Sequence, residues 1–254
     1  MVGKRAIALS DRLAYYLLKG INKAIRDYHM IADGDRIAVA VSGGKDSLTL
    51  LHLLRLRQRS TPGFYETVAL HLVRCRPDGV PCASVCQLEE LEAYMQSLGQ
   101  AYVVRNVQVD DDDGCFRCAR LRRRALFTAA TELGCNKLAL GHHADDAAET
   151  TLLNLFFHGT AETMQPSRTF FDGQLLLIRP MIYLQEKEIT RFAATQPFPK
   201  VEQRCPNSVT SRRALVKALI ASVESEYPKV KINLFRAGLR ENQETADPGS
   251  DRTA

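Results

Sequence analysis

The sequence predicts an α/β fold, a doubly wound parallel sheet with an N-terminal helix and a C-terminal helical cap. Three observations predict it. A short apolar run, RIAVAV at 36–41, enters a glycine loop and then a helical stretch; strand-like and helix-like segments go on alternating after it; and 254 residues with 45% hydrophobic content are enough for one substantial core. Such alternation implies parallel strands joined by crossover helices.

Residues 12–29, RLAYYLLKGINKAIRDYH, carry apolar side chains at helical spacing and stop before Asp33-Gly34-Asp35, a turn signal. Residues 1–34 are therefore expected to form a helical extension. RIAVAV reads as a fully buried strand, followed by SGGKDS and the helical LTLLHLLRLRQ. The order then repeats through strand-like TVALHLV, helix-like CQLEELEAYMQSLG, strand-like AYVVRNV, a long helix through Leu121 to Leu133, strand-like KLALG and helix-like DDAAETTLLNLFFHG. These segments make 35–182 the nucleotide-fold domain. The rest is less regular: a strand in QLLLIRP, then the helices QEKEITRFAATQ and SRRALVKALIASVESEY, expected to cap the sheet rather than extend it, with 183–240 as the helical part of the same domain. The polar stretch ENQETADPGSDRTA, 241–254, is expected to be disordered.

The formal net charge of +5 suits an anionic partner without requiring one. No apolar run is long enough to span a membrane and the N-terminus lacks the apolar content of a secretion signal, so a cytoplasmic protein is expected. Seven cysteines in such a chain favour metal or cluster ligation over a disulfide framework. The four-aspartate run Asp110 to Asp113 reads as a solvated loop.

In the loop Ser42-Gly43-Gly44-Lys45-Asp46-Ser47, two glycines after a buried strand turn the backbone tightly and aim N–H groups at an anion, and the following helix adds its positive end. Lys45 can place a charge on phosphates, Ser42 and Ser47 can donate hydroxyls, and Asp46 can help hold Mg2+. A serine-capped strand-to-helix turn is the plainer alternative. The whole string resembles the signature of the PP-loop ATP pyrophosphatases, whose fold is Rossmann-like, and is not a Walker loop. The resemblance implies ATP bound by its β and γ phosphates, adenylation of a substrate oxygen and release of AMP and pyrophosphate.

Cys115 and Cys118 form Cys-Phe-Arg-Cys, followed at once by ARLRRR. At i, i+3 on a helix both sulfurs can reach one centre, with zinc, a redox dithiol, a cluster or two buried thiols all open. A third cysteine, Cys205, stands in Arg-Cys-Pro-Asn-Ser before a basic helix. Three thiolates leave one iron of a four-iron cluster open to another ligand.

The segment 115–159, CFRCARLRRRALFTAATELGCNKLALGHHADDAAETTLLNLFFHG, resembles the tRNA 2-thiocytidine synthetases, and the likeness extends from about Ile21 to Arg240 through IADGDRIAVAVSGGKDS, LLIRPMIYLQEKEI and ESEYPKVKINLF. It implies a tRNA sulfurtransferase that replaces the 2-oxo group of cytidine 32, in the anticodon loop, with sulfur. It implies a 4Fe-4S cluster on Cys115, Cys118 and Cys205, with Ala40, His71, Arg122 and Gly141 near ATP. A cysteine desulfurase or other sulfur donor and a homodimer are implied as partners. The chain departs from the family in having Cys205 alone where Pro-Cys-x-x-Cys is usual. Its Cys-Pro-Asn-Ser context is similar to the tRNA uridine thiolases, which keeps a 2-thiouridine synthase as the alternative, beside a noncatalytic iron-sulfur nucleotide-binding protein. Cys75, Cys82 and Cys86 have no place in the pattern; a second metal site, persulfide delivery and a plain loop stay open.

Gly141-His142-His143-Ala144-Asp145-Asp146 follows a strand and should emerge where open α/β sheets bind ligands, beside the glycine loop. Asp145 or Asp146 can position Mg2+, polarise the target base or lie near nucleotide, while Asp146 with Glu149 also fits a capping box. Arg117, Arg120, Arg122, Arg123 and Arg124 cannot all face one way on a helix. With Lys19, Lys23, Arg212, Arg213 and Lys217 they form a candidate RNA-binding track.

Overall fold

The apolar run at 36–41 becomes the centre of a six-stranded sheet. The computed structural model describes residues 9–61, 63–75, 85–109, 115–199 and 212–246. The elements are α1 (Leu9–Asp27), β1 (Arg36–Ala40), α2 (Lys45–Ser60), β2 (Glu66–Cys75), α3 (Val85–Ser97), β3 (Tyr102–Gln108), α4 (Cys115–Glu132), β4 (Lys137–Ala139), α5 (Ala144–His158), β5 (Ser167–Phe170), β6 (Leu175–Ile178), α6 (Glu186–Ala193), α7 (Arg212–Glu226) and α8 (Val230–Ala246). Contacts sort them into two compact units, Met1–Gly141 with Ser167–Gln203, and His142–Pro166 with Arg204–Ala254.

In the first unit the strand order is β3-β2-β1-β4-β6-β5, parallel except for β5, which pairs antiparallel with β6. Chain order reverses between β1 and β4. Right-handed crossovers therefore place α2 and α3 on one face and α4 on the other, as expected of a doubly wound sheet. Asp35, 5% exposed, fixes where β1 starts: its carboxylate accepts from the Ala32 N–H and from Asn136 Nδ2, both at 2.7 Å, and Asn136 immediately precedes β4. Ile37 then pairs with Lys137 and Val39 with Ala139.

Ala38, Leu70, Leu138 and Leu177 project from one face into a cluster with Phe127, Ala129 and Ala130 of α4. Side chains alternate along a strand, so Ile37 and Val39 point to the opposite face. Leu48, Leu50, Leu51, Leu53 and Leu54 of α2 are all buried, which is why that helix is apolar nearly all round: it lies against β1 and β2 while α1 and α6 pack on it. Each buried leucine contributes about 1.5–3 kcal/mol.

Two expectations for the last third change. The QLLLIRP segment does not cap the sheet; as β6 it extends it, pairing Leu138 with Leu177, and it carries β5, which sequence reading missed. In the second unit α8 packs on α5 and α7 and runs through Ala246, so residues 241–246 of the expected disordered tail are helical. Asn242 explains the extension, since its amide exchanges two hydrogen bonds with the Thr163 backbone at 3.1 Å each. Gly238 lets α8 lie close to that segment, because a Cβ there would sit 2.6 Å from Thr163 Cβ.

Candidate functional site

The loop after β1 has the shape its sequence requires. Gly43 has φ of 85°, a conformation that favours glycine, and Gly44 is the N-cap of α2. A glycine cap brings no side chain, which leaves first-turn N–H groups of α2 available to an anion. Ser47 braces the loop from below: its Oγ accepts from the Ser42 N–H at 3.1 Å and donates to the Gly44 carbonyl at 2.9 Å, while Ser42 Oγ lies 3.2 Å from it. The Gly44 N–H in turn donates to Ser42 Oγ at 3.3 Å. The serines thus shape the cradle as well as lining it.

Lys45 Nζ donates to both Asp46 oxygens, at 3.0 and 3.1 Å, and to Glu186 Oε1 at 3.1 Å. Burial works against the ammonium, but the two carboxylates outweigh it and hold the Lys45 pKa above its ordinary value. Sequence reading gave Glu186 no role, although it stands in the QEKEI string. It is 141 residues from Lys45, and no local pattern joins them. Gly141 follows β4 on the other side of the topological switch. A Cβ there would meet the Asp46 carbonyl carbon and the Ser47 nitrogen at 3.1 Å, so the two backbones approach closely.

Ala40 ends β1 opposite Leu70, and His71 follows on β2, fully buried. His71 Nδ1 lies 2.6 Å from the Val41 carbonyl, which can only accept. Nδ1 therefore carries the proton and Nε2 presents a lone pair. Among the described residues Nε2 has no hydrogen-bond partner. Burial lowers the His71 pKa, the Val41 bond opposes that, and the Arg122 guanidinium adds to the lowering. The ring is neutral near pH 7. Sequence reasoning named His71 and Arg122 only by resemblance; here they come within electrostatic range of each other.

Cys115 opens α4 and Cys118 lies one turn further on. Cys118 is half-buried and packs against Leu72, Val107 and Val109, at the carboxyl ends of β2 and β3. Cys205, Cys82 and the Asp110 to Asp113 run lie outside the described residues. Cys75 is buried at the end of β2, and the backbone of Cys86 belongs to α3. Among the described residues no three His, Cys, Asp or Glu side chains converge on a metal position, and no helix is long and apolar enough to cross a membrane.

Of the GHHADD motif, Gly141 shares the loop's compact unit, whereas His142 to Asp146 belong to the second. There Asp146 Oδ2 accepts from the His143 N–H at 3.1 Å, so the N-terminal capping contact of α5 runs from His143 to Asp146 rather than from Asp146 to Glu149. Arg213 of α7 donates to Asp146 Oδ1 at 3.1 Å and to Glu149 Oε2 at 2.9 Å. Asp145, 5% exposed, meets Lys231 Nζ of α8 at 2.9 Å. Both acids of the motif are thus neutralised within their own unit, by two bases whose distance in sequence hid the pairing.

The PP-loop domain model matches residues 16–222. The chain is 41% identical over 236 residues to the tRNA-cytidine(32) 2-sulfurtransferase of Geobacter sulfurreducens, covering 89% of this chain and 90% of that protein. It is 42% identical over 237 residues to the protein of the same name from Anaeromyxobacter dehalogenans, covering 89% and 79%. The solved structure of the U34-tRNA thiolase NcsA from Methanococcus maripaludis with its 4Fe-4S cluster has the same fold, with a TM-score of 0.76 at 20% identity over 96% of this chain and 82% of that one. A glycine cradle at the sheet's switch point, in a chain this similar to such relatives over nearly all its length, means that the protein belongs to the tRNA-cytidine(32) 2-sulfurtransferase family of PP-loop proteins.

Proposed function

We propose that the protein is an ATP-dependent tRNA sulfurtransferase that adenylates the 2-oxo group of a tRNA pyrimidine, cytidine 32, and replaces it with sulfur. The observation that carries the first half is the Ser42–Ser47 cradle, with its φ-positive Gly43, its bare helix end and its lysine. The sulfur and the base are supported by the relatives' name.

In this reading Ser42, Gly43, Gly44 and Ser47 bind the β and γ phosphates, and Lys45 hands its ammonium from Glu186 and Asp46 to them. Asp46 helps hold Mg2+, which offsets phosphate charge as the base oxygen attacks the α-phosphorus. Pyrophosphate leaves. A sulfur nucleophile then attacks C2 of the base and AMP leaves with the former oxygen. Ala40, His71, Gly141 and Arg122 lie near the nucleotide, with the buried His71 ring bracing the Val41 carbonyl at the start of the loop. Asp145 and Asp146 act at the base or the metal once released from Lys231 and Arg213.

Cys115, Cys118 and Cys205 are the ligands of a 4Fe-4S cluster. The apolar side chains around Cys118 and its one-turn spacing from Cys115 suit that role. When bound, such a cluster supplies a place where sulfur is held ready for transfer. A cysteine desulfurase is the proposed source of the sulfur, a homodimer the proposed assembly and the cytoplasm the proposed location.

The test is anaerobic cluster reconstitution, incubation with ATP, Mg2+, sulfide and unmodified tRNA, then nucleoside mass analysis. 2-Thiocytidine is expected. 2-Thiouridine would move the reading to the other base, and no thiolated nucleoside would overturn it.

A further inference from the structure

Helix α1 separates two kinds of chemistry. Ala14, Leu17, Ile21, Ala24 and Ile25 are buried. With about 3.6 residues per turn, Arg12, Tyr15, Tyr16, Lys19, Lys23 and Arg26 fall within about 100° of arc on the opposite side, along about 21 Å of helix. All six are exposed.

Two adjacent tyrosines, each 59% exposed, leave ring faces in water for which solubility gives no reason. Their rings meet edge to face, with centroids 5.7 Å apart and planes at 69°. Lys19 Nζ lies over both, 4.6 Å from the Tyr15 centroid and 5.6 Å from that of Tyr16, so the pair is held in place by a cation. Two acidic groups flank this row: Asp27, which is engaged by Lys23 and by the Tyr183 hydroxyl, and Asp11 in the first turn, against four cations on the face. What the face offers is positive charge interleaved with ordered aromatic rings.

That combination matches unpaired RNA, whose phosphates follow a basic track while its bases stack on aromatic side chains. An acidic protein would engage the cations and leave the rings without a role. We propose that the Arg12–Arg26 face of α1 docks unpaired loop nucleotides of the tRNA substrate, with Tyr15 and Tyr16 as a stacking platform. The inference rests on the functional reading above and adds the surface that reads the RNA.

The test titrates labelled, unmodified tRNA with the full cluster-reconstituted chain over a range of salt. Tyr15→Ala with Tyr16→Ala is expected to weaken affinity about tenfold or more, since each stacked base contributes roughly 1–3 kcal/mol. Tyr15→Phe with Tyr16→Phe keeps the rings and should bind as the unaltered chain does. Arg12→Gln with Lys19→Gln should lower the slope of log affinity against log salt by about 1.4, at about 0.7 per phosphate contact. Thermal midpoint and ATP affinity report that the fold survives. Unaltered affinity and slope in the alanine and glutamine pairs would overturn the proposal, as would a parent chain that binds no tRNA. So would variants that bind tRNA and thiolate it normally with sulfide but slow only with a sulfur-donor protein, which would make the face a protein surface. If the parent chain bound tRNA and yielded no thiolated nucleoside, the functional reading alone would fail.

Discussion

Glu186 Oε1 accepts a hydrogen bond from Lys45 Nζ at 3.1 Å, tying the first turn of α6 to the first turn of α2. The lysine meant for phosphate is therefore shared among carboxylates until an anion competes for it. Both partners are about a third exposed, and such pairs contribute up to about 1 kcal/mol. Glu186→Gln removes one competitor and one negative charge, so it should tighten binding of a non-hydrolysable ATP analogue about two- to fivefold by calorimetry. Lys45→Ala should weaken it at least about tenfold. Weaker binding in Glu186→Gln would mean that the carboxylate orients the lysine instead.

The close approach of Gly141 to the loop predicts a backbone effect with no loss of any side-chain contact. Gly141→Ala must push apart two backbones that a Cβ would meet at 3.1 Å, an overpacking strain of about 1–3 kcal/mol. Nucleotide affinity should fall and the thermal midpoint should drop. A variant unchanged in both would show that the loop is softer than its hydrogen bonds imply.

The buried, neutral His71 gives a pH dependence of definite sign. Its pKa is lowered on folding, so the unfolded chain takes up the proton first as pH falls below the ordinary value of 6.5. Its share of stability is complete above that pH and is lost below it, by at most about 1.4 kcal/mol per pH unit. His71→Asn keeps a donor for the Val41 carbonyl and cannot titrate. Denaturant unfolding between pH 7 and 5 should show a flatter slope in this variant than in the parent chain; equal slopes would refute the assignment. His52, also lowered by burial, adds to the acid sensitivity that remains.

Arg213 bridges Asp146 and Glu149 across one turn of α5, and the Glu149 side chain is only 10% exposed. Arg213→Ala leaves that carboxylate desolvated and unpaired, at a cost of about 1–3 kcal/mol. Thermal unfolding should show the loss. Arg213→Lys keeps the charge but not the planar fork, and should fall between.

How far the sequence could be read depended on whether a segment's pattern came from its own burial. β1, β2 and β4 are buried apolar runs, and the glycines, serines and lysine that run from the end of β1 into the first turn of α2 are adjacent in sequence, so strand, loop and helix were all legible. β5 was not, because Ser-Arg-Thr-Phe is mostly polar and becomes a strand only by pairing with β6. The last turns of α8 were taken for a disordered tail because Glu241 and Asn242 are polar, whereas Asn242 is fixed by Thr163, 79 residues earlier. The candidate site divides in the same way. The loop was readable, but Glu186 beside Lys45, Lys231 beside Asp145 and Arg213 beside Asp146 are pairings that only the fold creates.

β5 also settles how the sheet stops growing. A parallel stack ending on β6 would present Leu175 to Ile178 as an apolar rim with its hydrogen-bonding groups open to any passing strand. Instead the rim is a four-residue strand with Arg168 and Thr169 exposed and Arg168 stacked on Phe170, 5.3 Å from the ring centre. A border so short, with a cation at its middle, is a poor template for another chain, which guards this edge of the sheet against edge-to-edge pairing.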